Sequence, residues 1–85
     1  MNSLRAKKRV IRVVKVVDVL TKKTKLLKTV GQVEKFMKSL DTSKEFKYDL
    51  KMGPDEWRLE TLEDKEQLEW DMYRLRTICV EYLRK

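Results

Sequence analysis

Residues 9–20, RVIRVVKVVDVL, constrain the fold more than any other stretch. Eight of the twelve are apolar (Val10, Ile11, Val13, Val14, Val16, Val17, Val19, Leu20), and seven of those eight are β-branched. Branching at Cβ costs rotamer freedom in a helix and packs well on a pleated surface, so the composition favours a strand. Charges at 9, 12, 15 and 18 fall alternately on the two faces of an extended chain. Each face is then mostly apolar with an interruption, the pattern of an interior strand covered on one side and partly on the other. A helix would gather Lys8, Arg12, Lys15 and Lys22 on one face but place Val16 and Val19 at or inside it. The strand is the better reading.

Eighty-five residues hold one core. We expect a basic N-terminal arm over 1–8 and a single α+β domain over 9–85. A chain of this length buries roughly 60–65% of its unfolded surface, so the core is thin and self-association would help it. One cysteine, Cys79, cannot form a bridge within the chain, which points to a reducing, cytoplasmic setting. Arg12, Lys15 and Asp18 interrupt the apolar run, so it reads neither as a signal-peptide core nor as a membrane span. The net charge of +7 is unevenly spread. Through Leu40 there are twelve Lys/Arg and two acids, and beyond it nine Lys/Arg and twelve acids. Such asymmetry suggests either a basic face for an anionic partner or neutralisation of one half by the other.

Downstream, residues 21–24 read as a connection and 25–28 as a short return strand, giving a first hairpin. Thr29 and Gln32 have capping-box spacing, with the Gln32 side chain reaching back to the Thr29 amide. Val30, Val33, Phe36, Met37 and Leu40 then follow at helical spacing, predicting a short helix over 30–40. Phe46, Tyr48, Leu50 and Met52 alternate with charges, the mark of a half-buried strand. Gly53 and Pro54 stop it. Trp57, Leu59 and Thr61 continue the alternation as a returning strand, although Pro54 with acids behind it could also start a helix. A long helix over 62–83 presents Leu68, Met72, Leu75, Cys79 and Tyr82 to the core, with Ile78 and Leu83 flanking. The expected fold is α+β: two ββα units forming a four-stranded antiparallel sheet, with a short and a long helix on one face. The sheet's other face would be open.

Chemistry is sparsely signalled. Without histidine the chain lacks the usual base near neutral pH, the common nucleophile pairs and most zinc sites. Cys79 falls on the apolar side of its helix, where a thiol is ordinarily a small buried side chain. Gly31 and Gly53 are isolated, so there is no glycine-rich phosphate loop, and no motif implies a cofactor. Pro54-Asp55 followed by Glu63-Asp64-Lys65 resembles the PD…(D/E)xK arrangement of metal-dependent nucleases. In that family the two acids bind Mg²⁺ and the lysine, on a core strand, assists the attacking water. Here the second piece falls at an expected helix start, where acids complement the helix dipole. The expectation is a protein that is not an enzyme and holds no metal.

Two binding surfaces remain. Arg5, Lys7, Lys8, Arg9, Arg12 and Lys15 open a basic segment, and Lys22, Lys23, Lys25 and Lys28 surround its first turn. A ribbon carrying lysines at its tip can lie along a phosphate backbone, for which positive charge and reach suffice. Base reading would want Arg, Asn or Gln on the ribbon, and only Arg12 qualifies. No aromatic residue precedes Phe36, so there is no stacking platform for single strands. The second surface is on the last helix, where Trp70, Tyr73 and Val80 lie off the core stripe and Trp70 could stack on Arg74. Trp70 could instead fold over the sheet edge to complete the core. The first surface predicts a small non-catalytic nucleic-acid-associated protein with little sequence specificity. An acidic protein surface is the alternative anionic partner for it. The second surface, with the open sheet face, predicts an interaction module, an adaptor or inhibitor, binding a protein partner or itself as a homodimer. Small orphan modules of that kind are common in phages and other mobile elements, though no motif points there.

Overall fold

A computed structural model describes residues 11–85. The expected arm over 1–8, and positions 9 and 10 of the expected strand, lie outside the described residues. Four strands form one sheet: β1 (Val14–Asp18), β2 (Thr24–Leu27), β3 (Lys47–Met52) and β4 (Asp55–Glu60), in the order β2-β1-β3-β4. Every adjacent pair is antiparallel. Helix α1 (Val30–Ser39) links β2 to β3, and helix α2 (Lys65–Arg84) follows β4. Because β2 and β3 both run against β1, they share a direction, and α1 carries the chain across β1 from one to the other. The architecture is the expected α+β one.

β1 explains why the layers form. Val14 and Val16 are buried and point to the helices, while Lys15 between them is exposed on the opposite face. Register continues that face across the sheet: Val14 lies opposite Leu27, Val16 opposite Leu50, and Leu50 opposite Trp57. Leu50, Met52 and Leu59 join from β3 and β4, Val33, Phe36 and Met37 from α1, and Leu68, Leu75 and Cys79 from α2. Each fully buried leucine contributes about 1.5–3 kcal/mol.

β1 is shorter than the expected 9–20. At its end the Asp18 carboxylate accepts from the amides of Leu20 (2.9 Å) and Thr21 (3.2 Å), which folds the chain into the connection and leaves Leu20 exposed. Lys22 closes that connection with a φ of 66°. At its start both neighbours leave together, for β2 runs into α1 after Leu27 and β3 turns at Gly53.

The helix starts have identifiable caps. Thr29 Oγ1 accepts from the Gln32 amide (3.1 Å), while Gln32 Oε1 accepts from Lys28 (2.6 Å) and not from Thr29 as expected. α2 begins at Lys65 and not at 62, because Thr61 is still tied to the sheet. Its amide donates to the Phe46 carbonyl, and its hydroxyl accepts from the Phe46 amide. Asp64 is the cap, accepting from the amides of Glu66 (3.1 Å) and Gln67 (3.3 Å).

The β3–β4 turn holds two residues, with Met52 opposite Asp55. Gly53 has a φ of 62°. Proline cannot take a positive φ at the next position, so the turn is of type II′, whose twist suits a hairpin. The expected strand over 57–61 is therefore correct, and the helix beginning at Pro54 is not formed. A Cβ at Gly53 would find space, with the nearest atom (Tyr82 Oη) at 3.7 Å, so backbone strain alone opposes it. Gly53→Ala should cost about 1–2 kcal/mol and lower the melting temperature by roughly 4–8 °C per kcal/mol. Calorimetry showing no decrease would contradict this turn.

Candidate functional site

The sequence-predicted basic residues take several different positions. Arg5, Lys7, Lys8 and Arg9 lie outside the described residues. Arg12 turns to the helix side, its guanidinium 5.3 Å from the centre of the Tyr82 ring and its Nε buried without a hydrogen-bond partner among the described residues. Lys25 also lies on the helix side, 5.9 Å from the Phe36 ring centre, with its residue exposed at the β2 edge. Lys15 projects from the open face. Lys22 and Lys23 occupy the tip, and Lys28 follows β2 at the far end. The span from Lys23 to Lys28 is about 17 Å of extended chain.

Charge pairing separates this edge from the rest of the sheet. On the open face Lys47 meets Glu60 (3.7 Å), Lys51 meets Glu56 (3.7 Å), and Arg58 Nε donates to Asp49 Oδ1 (2.7 Å). These pairs bridge β3 and β4. Elsewhere Lys44 pairs with Asp41 and Arg76 with Glu34. Among the described residues, Lys15, Lys22, Lys23, Lys25 and Lys28 have no carboxylate within 4.0 Å. The one acid within the hairpin is Asp18. Desolvation raises its pKa, but hydrogen bonds from Thr21 and Leu20, with the Lys23 charge, outweigh it and hold the carboxyl below its usual value. The hairpin therefore presents uncompensated ammonium groups along β2, beside a neutralised β3–β4 surface.

On α2, Trp70 is 63% and Tyr73 56% exposed. Trp70 does not fold over the sheet edge; Trp57 is the tryptophan that packs against the core. The expected Trp70–Arg74 stack gives way to a Trp70–Tyr73 pair, with ring centres 6.2 Å apart and planes at 89°. Tyr73 in turn carries the Arg76 guanidinium, 5.6 Å from its ring centre, which Glu34 holds from α1. Arg74 is exposed beside Trp70, and Val80 is half-buried against the core. The inward positions of Arg12 and Lys25 were missed; for Arg12 the signal was its even number, shared with Val14 and Val16, and for Lys25 it is the pairing with Val16 that turns it inward.

The nuclease-like residues are not brought together. Asp55 opens β4 and Glu63 lies beyond its far end, so the length of the strand, about 20 Å of extended chain, separates them. Asp64 caps α2, and Lys65 Nζ donates to the Thr42 carbonyl (2.6 Å). Among the described residues no three or more His, Cys, Asp or Glu are placed to hold a metal ion, and no helix is long and apolar enough to cross a membrane. Compared with known proteins, the chain matches no family model, no curated protein and no solved structure.

Two titrations test this chemistry. The Arg58 hydrogen bond holds the Asp49 carboxyl below its usual value of 3.8. A depressed pKa stabilises the fold above the unfolded value, and that contribution fades as pH falls through the folded one. Asp49→Asn should flatten this acid limb of a denaturation series; an unchanged limb would exclude the pair as its cause. Desolvation pushes the Cys79 thiol up to about 11. Native protein at pH 8 should leave Cys79 unreacted with a chromogenic disulfide reagent until denaturant is added, whereas rapid native labelling would mean the helix face is open.

Proposed function

We propose that this is a small non-catalytic protein that binds the phosphate backbone of duplex nucleic acid through the β1–β2 hairpin, with little sequence preference. One observation supports the reading: among the described residues, Lys15, Lys22, Lys23, Lys25 and Lys28 are gathered on one hairpin with no carboxylate within 4.0 Å, whereas Lys47, Lys51 and Arg58 on β3 and β4 are paired. Phosphate contacts need charge and reach, and counterion release supplies the affinity. A lysine edge about 17 Å long covers about five base-pair steps of the helix axis. Arg12 is engaged by Tyr82, and residues 14–27 contain no Arg, Asn or Gln, so the ribbon carries none of the common base-reading side chains. Arg5, Lys7, Lys8 and Arg9 add four cations immediately upstream in sequence. A second reading, a protein partner on α2, is favoured by the exposure of the Trp70–Tyr73 pair, since such residues anchor interfaces. A homodimer through this face is one form of it.

Fluorescence anisotropy on a random duplex tests the first reading. Four hairpin contacts should give a slope of log K against log salt of about −3.6. Lys22, Lys23 and Lys25 reversed together to Glu should abolish binding with the melting temperature preserved. A control reversing Lys38, Lys44 and Lys85 makes the same change in net charge and should bind nearly as well as the unaltered chain. Equal losses in the two triple variants would refute a localised hairpin site.

A further inference from the structure

Glu66 and Glu69 each lie one helical turn before an aromatic residue, four positions from Trp70 and Tyr73 respectively, so all four side chains share the outward side of α2. Helical side chains lean towards the N-terminus, which tilts both rings towards the carboxylates. These four residues alone line a shallow cavity of about 510 Å³. Its two rings stand at 89°, forming adjacent walls. Among the described residues, neither Glu66 nor Glu69 has a Lys or Arg within 4.0 Å.

From this we infer that Glu66, Glu69, Trp70 and Tyr73 form a receptor for an arginine side chain on a basic segment of a partner protein. The inference rests on the α2 partner reading above and names that partner's chemistry. An aromatic face carries negative charge density, and indole attracts a cation most strongly. The chain already uses this attraction on Tyr73, where Arg76 approaches from the α1 side. Trp70 carries no cation of the described chain on its ring. Arginine fits better than lysine because guanidinium is planar, weakly hydrated and able to stack while its N–H groups reach two carboxylates. An apolar occupant would desolvate both glutamates without compensation, and a phosphate would be repelled by them. Charge therefore selects the occupant.

The test uses the full chain carrying Trp57→Phe, which leaves Trp70 as the sole tryptophan. Its emission is titrated with capped Gly-Arg-Gly-Arg-Gly and with the corresponding Gln and Leu peptides. The protein's own net charge opposes a cationic peptide, so a saturable response must come from local contacts. The arginine peptide should shift Trp70, and Glu66→Gln with Glu69→Gln should weaken it about tenfold. Tyr73→Ala should remove the response. If Trp57→Phe weakens the fold, the Trp70 indole N–H signal of the unaltered chain in a heteronuclear NMR spectrum reads the same binding. Equal binding of the leucine peptide would overturn the arginine assignment while leaving a partner surface on α2. Silence with all three peptides would overturn the arginine receptor and count against the partner reading as well. A Trp70 signal that changes on dilution and ignores every peptide would make a second copy the occupant, overturning the proposal.

Discussion

The fold depends on how β1 phases its charges. Val14 and Val16 can be buried only if even-numbered residues face the helices, and that phase also turns Arg12 and Asp18 inward. An unpaired charge inside the core would cost several kcal/mol. Both are placed where the strand ends. Asp18 sits at the first turn, where Leu20 and Thr21 amides satisfy it, and Arg12 lies beyond the other end against Tyr82. The laddered strand is thus five residues long, bounded by the inward charges, with Lys15 as the outward one between them. Packing of β1 and the location of the sheet's edges are one constraint.

The same constraint distributes surface charge. β3 and β4 alternate apolar and charged residues in a register that sets Lys47, Asp49 and Lys51 opposite Glu60, Arg58 and Glu56. Every outward pair on that hairpin is therefore of opposite sign. Such exposed pairs are worth only about 0.2–1 kcal/mol each, so their main effect is on where net charge remains. β2 offers β1 no acid to pair with, because Lys15 faces Leu26 and Val17 faces Thr24. Positive potential is left at the β2 edge by elimination within the sheet itself. Lysines there also discourage edge-to-edge pairing with another sheet, a role compatible with holding phosphates.

Much of this was legible in the sequence where a local pattern decided it. The Thr29–Gln32 spacing, the Val33–Phe36–Met37 face and the 46–61 alternation specify their elements through contacts a few residues apart. The long helix's core face was equally plain. Its start was not, because Thr61 is held to Phe46 by hydrogen bonds across fifteen positions, and only then does Asp64 become the cap. The limits of β1 were hidden for a similar reason, since they depend on where β2 and β3 turn away. For the candidate surfaces, sequence located the basic segment but treated its cations as equivalent, whereas strand parity sends Arg12 and Lys25 to the helix side. On α2 it selected Trp70 and Tyr73 as out of place and assigned the stacking partner wrongly. Arg76 is held by Glu34 on another helix, a contact that no spacing within α2 reveals.

An uneven chain of this kind has the charges to neutralise itself, the basic first half folding onto the acidic second. The topology limits how far it can. α1 packs beside β2 and α2 beside β4, so the lysine edge and the glutamates flanking Trp70 belong to different sides of the helical layer, with α1 between them. Arg76–Glu34 is the ion pair that joins the two helices, and it lies on their shared side, against Tyr73. Opposite charges are therefore kept apart by the packing of the core. Bringing them together within one chain would mean unpacking α2, with its Leu68 and Leu75, from the sheet, at a cost of several buried leucines, for surface pairs individually worth less than one such side chain. The separation is enforced by burial, and it is what leaves each surface its charge.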